Sequence, residues 1–440
     1  MARICMVGSW HQAMVYGAGL ADIGHRVVGV CDSAQTADQL NQGKPVVYEP
    51  GLAELMAKNI RRKRLSYTTD YRAALKSAEF AYLAVDTRVL DDDSSDLDPL
   101  YEIASSIGRH ASGGLTLCVS SQVPVGSCEQ LLAKATAVGR HRMSVAYVPE
   151  FLRLGSALET FKRADRVVVG SDDLKVARRV GSLYAKLRRP IMLTDLRTAE
   201  MAKHASNTFL ATSISFINEV ANLCDRVGAD ATEVARILKA DRRIGPHAFL
   251  EPGLGFAGGT LGREIKALQR IGVEVGVRTP IMDAVLAVNA TRPRVVTDRL
   301  DEMLGGLAGK QIAMLGLTYK ARTSTLRRAL SLEIIQQLNE RRASVAAFDP
   351  LAVVDGVSDL PYFLRRNSPY LAAERSDAVV FMTEWVGIER LSLTRLRRRM
   401  AGRLFFDTKN YFDPAKIAAA GFDYVGVGRS RTPGMPARGR

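Results

Sequence analysis

The 440-residue chain has five cysteines, two tryptophans and no long apolar run. Cys5, Cys31, Cys118, Cys128 and Cys224 are scattered, with no CxxC pair and no metal-ligand spacing, so neither a disulfide framework nor a metal site is indicated. We expect buried, reduced thiols. No stretch approaches the roughly 20 apolar residues of a membrane-spanning helix. The N-terminus runs straight into a strand-like segment, without the charged and apolar regions of a signal peptide. These absences point to a cytoplasmic protein with no membrane contact.

What is present is ordinary for a globular protein: 47% hydrophobic and 24% charged residues, in a length that suggests roughly three domains. The charge balance is unusual. Lys and Arg number 61 against 46 Asp and Glu, a formal net charge of +15, which admits nucleic acid, an anionic membrane or a polyphosphate ligand as partner. Part of the excess lies in Arg395-Leu396-Arg397-Arg398-Arg399 and in the Pro- and Gly-bearing tail ending at Arg440. No nucleic-acid motif accompanies these runs, so they read as a solvated helix face and a disordered end, and nucleic acid is not the expected partner.

Short β-rich runs alternate with helical stretches from Arg3 to Val148, the pattern of a doubly wound parallel sheet. From Thr198 to about Val227 a single uninterrupted helix is expected, ending at Gly228. A second strand-turn-helix begins at Gly309–Leu317, and Ala343–Pro350, Asp377–Met382 and Arg403–Asp407 continue it. The fold class is therefore α/β: two Rossmann-like doubly wound domains joined by a central helical domain with one long helix. We place the boundaries at 1–196, 197–305 and 306–427, with a basic tail at 428–440.

The turn after the first strand is the first candidate site. A dinucleotide-binding GxGxxG there provides a tight turn, a close backbone approach to pyrophosphate and close helix–strand packing. Gly8-Ser9-Trp10-His11-Gln12-Ala13 keeps the first glycine alone. Asp32 ends the second strand, near the roughly 20-residue spacing of the acid that takes the ribose hydroxyls of NAD and disfavours a 2′-phosphate. Trp10 stands against this reading, because an indole occupies the position where backbone should meet phosphate.

Further stretches follow in order: Tyr48-Glu49-Pro50-Gly51-Leu52, Val123-Pro124-Val125-Gly126, Pro149-Glu150-Phe151-Leu152-Arg153, Asp165-Arg166-Val167-Val168-Val169-Gly170, a helix bearing Lys203 and Asn207, Phe249-Leu250-Glu251-Pro252-Gly253, Gly316-Leu317-Thr318-Tyr319-Lys320 and Asp407-Thr408-Lys409-Asn410. Each is weak alone. As an ordered set, spanning Arg3 to about Pro414, they resemble the UDP-glucose/GDP-mannose dehydrogenase family. The resemblance implies NAD in the N-terminal domain, a nucleotide-diphosphate sugar between the domains, a homodimer through the central helix, and oxidation of a sugar C6 alcohol through an aldehyde to a carboxylate. The second oxidation proceeds through a cysteine thiohemiacetal and a thioester, a nucleophilic route that splits a difficult step in two.

The same resemblance assigns residues. Lys203, Asn207 and Glu150 take catalytic roles, the first two projecting from one helical face at i, i+4 spacing. Gly8, Ser9, Trp10, Asp32, Thr87, Gln122, Arg263 and Arg327 lie on the cofactor side. Phe151, Leu152, Arg153, Phe249, Leu250, Gly253, Gly255, Lys320 and Lys409 lie on the substrate side, where cations facing a diphosphate use part of the positive charge.

There are departures as well. The family's loop resembles PGxGYGGSCFPKD, and this chain reads Pro252-Gly253-Leu254-Gly255-Phe256-Ala257-Gly258-Gly259-Thr260-Leu261-Gly262-Arg263-Glu264. Thr260 stands where the nucleophilic cysteine belongs, and a hydroxyl is barely ionised near neutral pH. Arg263-Glu264 replaces Lys-Asp and preserves the charge signs, but arginine does not give up its proton. Leu154 stands where the family has a second glutamate, and Gln122 where it has threonine. We therefore expect an NAD-dependent dehydrogenase whose oxidation stops at the aldehyde; the alternative is a non-catalytic or regulatory homologue that binds the nucleotide sugar.

Overall fold

A computed structural model describes residues 1–87, 95–326, 328–354 and 359–429. The chain divides into two compact units, residues 1–206 and 207–440, with the division inside a 32-residue helix, Leu196–Val227.

The first unit holds an eight-stranded sheet of β1 (Arg3–Val7), β2 (Arg26–Val30), β3 (Leu65–Thr68), β4 (Phe80–Leu83), β5 (Thr116–Val119), β6 (Ser144–Tyr147), β7 (Val167–Gly170) and β8 (Ile191–Thr194), in the order β3-β2-β1-β4-β5-β6-β7-β8. Ile4 and Met6 enter one hydrophobic cluster and Cys5 and Val7 another, the period of two that a strand covered on both faces requires. The sheet departs from the expected all-parallel plan once: β6 and β7 run antiparallel, with Tyr147 opposite Gly170.

The second unit repeats the plan with six parallel strands, β9 (Gln311–Leu315), β10 (Ser344–Phe348), β11 (Leu364–Arg365), β12 (Ala378–Phe381), β13 (Leu404–Asp407) and β14 (Asp423–Gly426), in the order β11-β10-β9-β12-β13-β14. Ile312 and Met314 face one cluster, Ala313 and Leu315 the other. Helices Ala231–Ala240, Leu261–Glu274 and Pro280–Leu304 accompany this sheet. In each sheet the strand order reverses beside the first strand, between β1 and β4 and between β9 and β12. Such reversals open a crevice at the carboxyl ends of the strands.

All five cysteines are free and buried, as expected. Among the described residues, no helix is long and apolar enough to cross a membrane, and no cluster of His, Cys, Asp and Glu suits a metal. The arginine run has structural employment. The Arg395 guanidinium stacks 4.2 Å over Tyr370, Arg397 donates to the Gly421 carbonyl, and Arg399 pairs with Glu374. Residues 430–440 of the basic tail lie outside the described residues.

Candidate active site

The turn after β1 begins at Gly8, whose φ of +129° is left-handed and whose Cβ, if present, would lie 2.5 Å from the Ala84 carbonyl oxygen. Only glycine fits there. Trp10 is extended (φ −95°, ψ −175°) and precedes helix His11–Asp22 without a side-chain cap. Its indole is 51% exposed. The side chain thus turns outward, which answers the objection it raised from sequence, and the uncapped helix start offers amides and a positive dipole end to phosphate. Ser9 Oγ donates to Asp32 Oδ2 at 3.0 Å, holding the exposed acid beside the turn. Gly8, Ser9, Trp10 and Asp32 therefore form a cradle whose chemistry fits NAD. Ala13, at the last glycine position of the motif, is buried.

The side chains that follow Trp10 are held by hydrogen bonds. Gln12 Nε2 donates to the Ser120 carbonyl and hydroxyl at 2.7 and 2.9 Å. His11 Nε2 lies 2.8 Å from Glu49 Oε2, and the same carboxylate accepts from the amides of Gly155 and Ala157. Burial alone would raise the Glu49 carboxyl, but the bonds from His11, Gly155 and Ala157 outweigh it and hold the group below the usual carboxylate range. Glu49 so ties the start of the first helix to the loop that follows Glu150. The sequence reading missed this joint, although Glu49 stood inside a quoted motif. Thr87 Oγ1 donates to the Gln122 carbonyl at 3.1 Å, which places both beside the ends of β4 and β5.

Lys203 meets Glu150, while Asn207, four residues on, bonds Glu264 instead. Lys203 Nζ donates to the Glu150 main-chain carbonyl and lies 3.3 Å from its Oε1, while Glu150 Oε2 accepts from the Leu152 amide at 2.7 Å. Lys203 is only 3% exposed and also stands 5.1 Å over the Phe151 ring. One turn before it, Glu200 caps helix Ser127–Val138 by accepting from the amides of Gly126 and Cys128. Leu152 packs partly against the core and Arg153 is exposed.

In the second unit, the glycine loop is held by side chains from two helices. Asn218 accepts from the Gly253 amide, and Asn289 brackets Phe256 by accepting from its amide and donating to its carbonyl. Arg292, with no exposed surface, donates to the Gly253 carbonyl and to Asn222 Oδ1. Burial pushes its guanidinium down to about 10, against the opposing charge of Asp225. Gly255 has φ +96°, and a Cβ on it would lie 2.5 Å from Asn289 Oδ1.

Thr260 ends this loop as the exposed residue preceding helix Leu261–Glu274, with no side-chain cap bond. Glu264, one turn on, is fully buried and accepts from Asn207 Nδ2 at 3.1 Å. Arg263 is partly buried. No native thiol substitutes for the missing one: burial pushes Cys5 up to about 12, Cys31 up to about 11, and raises Cys118, Cys128 and Cys224.

Lys320 is partly buried after the turn from β9, and Lys409 Nζ lies 3.5 Å from Glu384 Oε2. Asn410, next along, donates to the Pro252 and Val427 carbonyls and so ties the Lys409 turn to the glycine loop. Phe249 is at the surface. Leu250 is buried and packs with Ile217 and Ala235, and its amide donates to the Ala248 carbonyl. Arg327 lies outside the described residues.

Sequence profiles of the UDP-glucose/GDP-mannose dehydrogenase family match in chain order: the NAD binding domain over residues 2–188, the central domain over 197–291 and the UDP binding domain over 313–414. The chain belongs to this family. It is 36% identical over 435 residues to UDP-glucose 6-dehydrogenase YwqF of Bacillus subtilis, covering 97% of this chain and 98% of that one. A UDP-glucose 6-dehydrogenase of Pseudomonas aeruginosa is 34% identical over 444 residues, covering 98% of both. The solved UDP-glucose dehydrogenase of Pyrobaculum islandicum superposes with a TM-score of 0.87 at 34% identity, covering 97% of this chain and 98% of that one. As a member, the chain is an NAD-dependent oxidoreductase acting on CH–OH groups.

Proposed function

We propose that the chain oxidises the C6 alcohol of a UDP-glucose-like nucleotide sugar and releases the aldehyde. NAD, when bound at the Gly8 turn, supplies the hydride acceptor. Oxidation of the alcohol also sets free the hydroxyl proton, and the Glu150 carboxylate, steadied by Lys203, is the group that takes it. The family resemblance assigns substrate contacts to Phe151, Leu152 and Arg153 in the first unit and to Phe249, Leu250, Gly253, Gly255, Lys320 and Lys409 in the second, the lysines serving a diphosphate. The resemblance likewise assigns cofactor roles to Thr87 and Gln122 in the first unit and to Arg263 and Arg327 in the second, and Asn207 with Glu264 supports the loop that carries Thr260.

One observation carries the limit to a single oxidation: Thr260 stands at the nucleophile's position while every cysteine is buried with its thiol raised. Without a thiolate, no thiohemiacetal forms to present a second hydride. The test follows NADH and product mass with NAD and a panel of UDP- and GDP-sugars. One NADH per sugar and an aldehyde are expected; two NADH and a carboxylate overturn the limit.

We further propose three domains at 1–196, 197–305 and 306–427 with the 428–440 tail, a cytoplasmic setting consistent with five reduced cysteines, and a homodimer. Phe209, Phe216 and Leu223, seven residues apart on the long helix, are all exposed. Such a stripe suits a second copy of the same helix.

A further inference from the structure

We infer that Arg166 is a positioning residue for the Lys203–Glu150 pair, acting through the Phe151 ring. The inference rests on the catalytic reading of that pair and adds to it a residue two strands' ends away in sequence. Phe151 follows the end of β6 and Arg166 immediately precedes β7, two strands that meet at the Tyr147–Gly170 pair. The Arg166 guanidinium carbon lies 4.6 Å from the centroid of the Phe151 ring, and Lys203 Nζ lies 5.1 Å from the same centroid.

A flat guanidinium stacked on a ring restrains the ring's rotation as well as attracting it electrostatically. Phe151 is partly buried: one side packs against the core, and Arg166 and Lys203 stand over the ring. The ring in turn forms one wall of the pocket holding the Lys203 ammonium, whose other partners are the Glu150 carbonyl and carboxylate. Removing Arg166 leaves both of those hydrogen bonds in place but frees the wall. Loss of geometry at a group that acts in the reaction lowers kcat, whereas loss of a direct ligand contact raises KM or Kd.

The experiment is a double-mutant cycle of R166Q and F151L, with R166K as the conservative variant, on the full chain with NAD and UDP-glucose. R166Q is expected to lower kcat about tenfold, with the UDP-glucose Kd from calorimetry within about twofold of wild type. R166K keeps the charge but not the flat stacking face, so it is expected to recover only part of the loss, with kcat still about threefold below wild type. In the F151L background, R166Q is expected to change kcat less than twofold, because the ring that transmits the effect is gone. Multiplicative losses in the double variant, or a Kd raised tenfold with kcat intact, overturn the inference. If R166Q fails to fold, the cycle with R166K decides on the same criterion of non-additivity. A wild-type chain that transfers no hydride sinks the functional reading instead, which keeps the two failures apart.

Discussion

Ala199 packs directly against Gly170: a Cβ built on the glycine would lie 2.4 Å from that of the alanine. This contact seats the first turns of the long helix on β7, and Lys203, one turn after Ala199, reaches Glu150 as a result. The expected outcome of Gly170→Ala is overpacking worth about 2 kcal/mol. Thermal unfolding should fall by about 4–8 °C, with hydride transfer more affected than NAD affinity. An unchanged melting temperature and rate would show that the helix is seated by other contacts.

Thr260→Cys places a thiol at an exposed helix start, where the dipole favours the thiolate. Iodoacetamide at neutral pH is expected to add one label to the folded variant and none to the folded wild type, read by intact mass. The same variant should move NADH yield from one toward two per sugar. A labelled variant with an unchanged yield would place the block elsewhere, with Leu154 the first residue to examine.

Glu49 gives a pH dependence with a definite sign. Its folded value lies below its unfolded one, so its contribution is present above roughly pH 4.3 and is lost as pH falls through the folded value. Glu49→Gln should cost about 1–3 kcal/mol near neutral pH, because the bonds to Gly155, Ala157 and His11 are weakened. The gap between the melting curves of variant and wild type should narrow below about pH 4. A gap that stays constant from pH 7 to pH 3 would contradict this account.

Phe216→Glu tests the exposed stripe on the long helix. Light scattering on the wild type is expected to give the mass of two chains, and the variant about half that, with its helical content retained. A wild-type mass of one chain would leave the stripe without a second copy to cover it.

The strands of both sheet centres were legible because β1, β2, β9 and β12 are apolar runs bounded by turn residues. The edge strand β8 was not, since Met192 and Leu193 are exposed and no burial pattern marks it. The antiparallel step at β7 depends on where a chain returns, which local spacing does not encode. Lys203 and Glu150 were legible through their motifs. Arg292 was not, because its partners Asn222 and Gly253 lie 70 and 39 residues away. Trp10 was visible, but its direction depended on backbone torsions.

The two sheets share one strand order, yet the acids ending their second strands have different fates. Asp32 remains exposed beside its turn. Asp349 is 6% exposed and already accepts five bonds, from the Leu317, Thr318, Leu351 and Ala352 amides and the Thr318 hydroxyl. With its lone pairs committed to its own turn, Asp349 is not available to a ribose in the way Asp32 is. A shared strand plan therefore does not by itself give both sheets the same ribose-binding chemistry.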